Sequence, residues 1–263
     1  VYALYNYYNF YIRKSILDSA NINYYDAAKK FKKIDSSYQE GKMLYNLALI
    51  EGRIRDYTSS EATTIKAITK FTPGKHSLNL YKAYNHLGIL FYELGELNKS
   101  LLNYKKARAY LEITKNKGTS PQRLSNNIAL LYNENKNFSK STSILNKVLS
   151  DSVFIKERDL PLLARIKDNL AKTKMLNGDT LNVKRLLAES MTIRKDLDHI
   201  PGIIVSYLNY AEYYLIKKDS STAIEFAEKS EALATKTENL SGRLDALSLL
   251  GRISGNKNQR YLN

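Results

Sequence analysis

Lysine, arginine and asparagine recur in this chain three and four residues apart. Lys82 stands three residues before Asn85, Arg123 three before Asn126 and four before Asn127, and Arg165 four before Asn169. An arginine guanidinium grips a carboxylate through two parallel N–H···O bonds, and an asparagine carboxamide can pair with both the N–H and the C=O of a peptide unit. Lys42 with Tyr45 repeats the arrangement upstream, while Tyr92 and Lys172 fall further along two of the same segments. The candidate contacts are therefore Lys42, Tyr45, Lys82, Asn85, Tyr92, Arg123, Asn126, Asn127, Arg165, Asn169 and Lys172. The chemistry they suggest is recognition of a protein or peptide segment, acidic or bearing a free carboxylate. The competing reading of the same residues is a set of solvated basic side chains near helix starts in a protein of net charge +15.

Catalytic chemistry finds little material. The 263 residues contain no cysteine, so a thiolate nucleophile, a thiolate metal site and a disulfide framework are all excluded. Three histidines, His76, His86 and His199, are widely separated and suggest no ligand cluster. The segment Gly74-Lys75-His76-Ser77 lacks the upstream glycine of a phosphate-binding loop. We expect no enzyme activity, no metal and no cofactor.

The candidate residues need elements to carry them, and those are helical throughout. Apolar residues recur three and four apart, as in Leu80, Tyr84, Leu87, Leu90, Phe91 and Leu94, and alternating strand patterns are scarce. Pro121, Pro161 and Pro201 stand 40 residues apart, where a missing amide proton suits a helix start. Six helices carry a large residue followed by a small one: Leu47-Ala48, Leu87-Gly88, Ile128-Ala129, Leu170-Ala171, Tyr210-Ala211 and Leu250-Gly251. A short turn follows each pair, as in Glu93-Leu-Gly-Glu96 and Asn177-Gly-Asp179, and then a second helix with its own small and large residues, such as Ser100, Tyr104 and Ala107. Small residues let two antiparallel helices approach closely and large ones fill the groove between pairs.

Those residues resemble the tetratricopeptide repeat, whose first helix carries Leu-Gly and whose second carries Ala, an aromatic and Ala. The stretch from Tyr84 to Ser100, continuing to Tyr104 and Ala107, matches well, and Tyr24-Tyr-Asp-Ala-Ala-Lys-Lys-Phe31 looks like a second helix with residues 4–20 as its first. The interval near 40 points to the long-repeat type, as in kinesin light chains and bacterial peptide-sensing regulators. Thr64, Lys174 and Ser220 depart from it, standing where the family prefers large apolar residues. The resemblance implies an all-α fold, a right-handed α-solenoid of about seven antiparallel helix pairs forming one unit over 1–263. The expected repeats are 1–36, 37–75, 76–118, 119–157, 158–199, 200–238 and an incomplete 239–263. It further implies a non-enzymatic scaffold that holds its partner in the groove lined by the first helices, as the sensory or interaction region of a larger bacterial signalling protein. The last repeat breaks off, and the chain starts at Val1 with no signal-peptide pattern, so we read it as part of a longer polypeptide, cytoplasmic or extracytoplasmic.

Two other partners come from composition. A pI near 9.6, with 20 basic and 10 acidic residues in 1–130, raises nucleic acid or another anionic surface as a less favoured partner. No nucleic-acid motif accompanies that charge. Fifteen of the 21 tyrosines precede residue 111, including Tyr2, Tyr5, Tyr7, Tyr8 and Tyr11. They suggest either core filling in a chain without tryptophan or an adhesive surface for self-association into a homo-oligomer. No stretch approaches the roughly 20 apolar residues a membrane-spanning helix needs.

Overall fold

The computed structural model describes residues 17–73, 76–115 and 117–255. The clustered early tyrosines, the expected helix before residue 17, Gly74-Lys75 and the last eight residues lie outside the described residues. Thirteen helices occur among the described residues, and no strand. They are α1 (Leu17–Lys33), α2 (Ser37–Arg53), α3 (Tyr57–Phe71), α4 (Ser77–Glu93), α5 (Leu97–Glu112) and α6 (Ser120–Glu134). Then follow α7 (Phe138–Leu149), α8 (Ser152–Glu157), α9 (Leu160–Leu176), α10 (Val183–Asp196), α11 (Ile200–Ile216), α12 (Ser220–Lys236) and α13 (Leu240–Ser254). Among these residues no helix is long and apolar enough to cross a membrane.

The turns explain why helices stop where they do. Arg55, Lys136, Asp198, Lys218 and Glu238 adopt left-handed backbone with φ between 47° and 64°, and Gly95 and Gly178 do so at 73° and 76°. Such a residue ends a helix by letting the following amides reach back to its last carbonyls. The next residues often cap the following helix: Asp56 accepts from Ser59 N, Asn137 from Lys140 N, Asp219 from Thr222 N and Asn239 from Gly242 N. Pro161 and Pro201 sit in the first turns of α9 and α11, where the orphan amide has no partner to lose.

The helices form two compact units, residues 1–131 and 132–263. In the first, α1 to α5 pack consecutively and α2 also touches α4. Its core runs through Tyr24, Phe31, Met43, Phe71, Leu80, Leu87 and Phe91. Tyr24, Tyr81 and Tyr104 are all within 3% of complete burial, so tyrosine fills the slots expected of tryptophan and phenylalanine. Small residues set the spacing: a Cβ on Gly88 would lie 2.3 Å from Tyr104 Cε1. A serine on the second helix then clasps the first, with Ser60 Oγ donating to Ala48 O at 2.6 Å and Ser100 Oγ to Gly88 O at 2.8 Å.

In the second unit α9 to α13 pack consecutively, and each of α9, α11 and α13 touches the next in that series. The short α8 is absent from the sequence expectation. It starts on an Asp151 cap, anchors through buried Phe154 and ends at Arg158 with φ 49°. Phe226 stacks nearly parallel with Tyr210 and with Tyr214, centroids 5.0 and 5.6 Å apart.

Candidate functional site

In the first unit, α2, α4 and α6 carry the candidate residues. Lys82 is exposed, Lys42, Tyr45, Asn85, Tyr92, Arg123 and Asn127 are half-buried, and Asn126 is fully buried. The carboxamides meet in a chain. Asn127 Nδ2 donates to Asn85 Oδ1 at 2.9 Å, joining α6 to α4, and Asn126 Nδ2 donates to Asn127 Oδ1 at 3.4 Å. Tyr45 sets its ring edge-on to His86, 6.2 Å away, and burial raises its hydroxyl far above the ordinary phenol range. Lys42 lies over the Tyr38 ring at 5.6 Å. Tyr92 stands ten residues beyond Lys82, hence about 15 Å along α4.

The depth of Asn126 differs from the groove-facing position its spacing suggests. Three- and four-residue intervals identify a helix face, but the cover over that face comes from side chains on other helices. On α4, His86 is buried with its Nε2 3.0 Å from Ser60 Oγ. Because that hydroxyl gives its proton to Ala48 O, the geometry assigns the His86 proton to Nε2, and burial lowers its pKa to about 4. It is a neutral strut between α3 and α4.

In the second unit Arg165 and Lys172 are exposed on α9 and Asn169 is half-buried. Between them Asp168, at the position equivalent to Asn126, is 3% exposed. Its carboxylate meets Arg194 Nη2 from α10 at 2.6 Å. Arg194 Nη1 also donates to Gly202 O and, at 2.8 Å, to Ser206 Oγ, so one guanidinium ties α9, α10 and α11 together. Burial pushes Asp168 up to about 6 against the opposing pull of the Arg194 charge, and burial lowers Arg194 as well. A second polar knot joins Asn133 Nδ2 to Thr173 Oγ1 at 2.8 Å, with Ser141 Oγ 3.3 Å from the same atom.

Sequence reading did not single out Asn209, Arg194 or Ser206. A signal for Asn209 exists: two residues before each small residue stand Asn46, His86, Asn127, Asn169 and Asn209. The structure joins that column to the one preceding it in the first unit, Asn127 to Asn85, and sets Asn209 near Asp168 in the second. No group of three or more potential metal ligands forms among the described residues.

No protein-family model and no curated protein matches the chain. Its fold does match solved structures. A Rap protein complexed with competence and sporulation factor superposes with TM-score 0.71 at 14% identity, over 95% of this chain and 70% of that one. The apo form of RapI gives 0.65 at 13% identity, over 96% and 97%. A tetratricopeptide repeat protein from Parabacteroides merdae gives 0.55 at 17% identity, over 99% and 94%. The chain therefore has the all-α, tetratricopeptide-like solenoid fold.

Proposed function

We propose that the chain is a non-enzymatic scaffold whose first helices hold an extended protein or peptide segment. The observation that carries this reading is the Asn127–Asn85 bond at 2.9 Å, which sets two half-exposed carboxamides side by side on successive first helices. Lys82 stands exposed one turn before Asn85, and Arg123 one turn before Asn127. Carboxamides offer both a donor and an acceptor to a peptide backbone, and the cations favour acidic side chains or a terminal carboxylate. Asn126 supports Asn127 from below, and Lys42, Tyr45 and Tyr92 extend the surface along α2 and α4. Arg165, Asn169 and Lys172 offer a similar set on α9 of the second unit.

The sensory or interaction region of a larger bacterial signalling protein is the setting we favour, supported by the fold likeness to a Rap protein solved with competence and sporulation factor. The test is selection from a random peptide library, with single-stranded oligonucleotides in parallel at two salt concentrations. Replacing Lys82 and Arg123 together by alanine removes two charges at little cost to packing and should weaken a selected peptide at least about tenfold, roughly one lost charge-assisted bond. Unchanged affinity refutes the site. Oligonucleotide binding that falls steeply with salt, without any peptide hit, replaces the reading with nucleic-acid binding.

A further inference from the structure

In the first unit a cavity of about 230 Å³ opens where the end of α5 meets the start of α6. Its floor is apolar: Leu111 on α5 and Leu124 on α6 are 5% and 2% exposed, and Pro121 closes one side. Its rim is charged, with Arg108 and Glu112 from the end of α5 and Lys117 from the connection that follows. None of these three side chains makes a hydrogen bond or an ion pair with another described residue. The walls are held from α4. Tyr81, 3% exposed, donates its hydroxyl to Ser120 O at 3.0 Å, and Thr114 Oγ1 lies 3.0 Å from Ser77 Oγ and 2.8 Å from Tyr110 O. The cavity is therefore built before a ligand arrives, which spares the cost of ordering it. Pro121 and Ser125 each stand two residues from Arg123, about 200° round α6, so the cavity lies on the other side of that helix from Arg123.

We infer that this cavity is a binding site for a small aliphatic carboxylic acid: Leu111, Leu124 and Pro121 take its branched hydrocarbon body, and Arg108 and Lys117 take its carboxylate. Size sets the first limit. Sites for drug-sized ligands span about 300–1,000 Å³, so this smaller space suits a body of a few carbons and falls short of a nucleotide. Charge sets the second. Arg108 and Lys117 contribute +2 and Glu112 contributes −1, which leaves +1 for a single negative charge to neutralise. A phosphate monoester would bring about −1.5 to −2 to a site with one positive charge to spare, and Glu112 would repel the excess. A guanidinium holds a carboxylate through two parallel bonds, and an ammonium beside it supplies another donor. The site adds a small-molecule ligand to the peptide-binding reading and does not depend on it.

The probe is 4-methylpentanoate, titrated into the whole chain while the leucine methyls are followed by NMR. The methyls of Leu111 and Leu124 should shift saturably. The acid should bind about tenfold or more tighter than 4-methylpentanamide, which has the same body without the charge, a difference of one charge-assisted bond. Acetate, which leaves the leucine floor bare, should bind about tenfold or more weaker than the acid. Arg108→Gln together with Lys117→Gln removes both cations without breaking a side-chain bond, and should bring the acid and the amide to equal affinity. No saturable shift at those methyls overturns the inference. Equal binding of acid and amide by the parent chain overturns it as well, and so does a preference for the acid that survives in the double variant.

Discussion

Removing Arg194 while leaving Asp168 in place should destabilise the second unit by an amount that depends on pH. Both side chains are under 10% exposed and meet at 2.6 Å, so Arg194→Met leaves a carboxylate without its counter-charge in a desolvated site. Breaking a buried pair from one side costs about 3–5 kcal/mol. The carboxyl has an escape, which is to fold protonated. Protonating an ordinary aspartate at about pH 7 costs roughly 4 kcal/mol, at 1.36 kcal/mol per pH unit above 3.9, and only about 1.5 kcal/mol at pH 5. Its folded pKa is raised already, so its contribution to stability is fully present below the unfolded value and is lost as pH rises through about 6. In the variant that rise extends further. Because the parent's carboxyl already takes up a proton near pH 6, that cost is shared in acid, and the pH-dependent part of the loss is about 1.4 kcal/mol near pH 7 and close to zero near pH 5. Replacing the pair together, Asp168→Leu with Arg194→Met, should recover most of it, since apolar residues of similar volume often match or exceed a buried pair. Amide hydrogen exchange in α9, α10 and α11 reads this locally and separately from the first unit. Equal losses at both pH values, or a double variant no better than the single, would refute the reasoning.

The remaining predictions concern packing and turns. Gly88→Ala puts a Cβ 2.3 Å from the buried Tyr104 ring, which cannot swing aside, so a loss of roughly 1–3 kcal/mol should appear in thermal unfolding. Arg55→Gly and Lys218→Gly relieve left-handed backbone at φ 64° and 61° and should each stabilise by about 0.5–1 kcal/mol; a drop in melting temperature would count against the strain argument. Asn137→Ala removes the acceptor for Lys140 N and should cost about 1 kcal/mol, read from chemical denaturation. Asp56 and Asp219 cap helices and are held below the usual carboxylate range by hydrogen bonds to Ser59 and Thr222. Their caps are present above that range and are lost as pH falls through it, which Asp56→Asn and Asp219→Asn should make insensitive to pH.

How far the sequence carried depended on how local the cause was. Helix phase, the prolines opening α9 and α11, and the small residues that let helices meet are all dictated within a few neighbouring residues. The serine clasps follow from the same repeat, since Ser60 and Ser100 each lie 12 residues after the carbonyl they bind. The buried pair is different. Asp168 and Arg194 are 26 residues apart on separate helices, and neither carries a local mark of the other. Nothing in the spacing of Asn126 and Asp168 told a groove position from a buried one, because the covering atoms belong to other turns of the chain. The six-residue α8 was illegible for a related reason: its stability comes from one anchored phenylalanine and an aspartate cap, too short a stretch for periodicity to register.

The asparagine column shows why ligand grip and repeat cohesion are hard to separate in such a fold. In the first unit a carboxamide on α6 satisfies one on α4; in the second, the same register sets a carboxamide near a carboxylate that an arginine pairs. A peptide that takes over the Asn85–Asn127 bond exchanges one hydrogen bond for another, so that exchange yields little net affinity. Discrimination must then come from the exposed cations around it. Asn85→Ala and Lys82→Ala should consequently diverge: the first should loosen α4 against α6 more than it weakens a selected peptide, and the second should weaken the peptide without changing unfolding. Finding the reverse order would assign the carboxamides to the ligand and the cations to solubility.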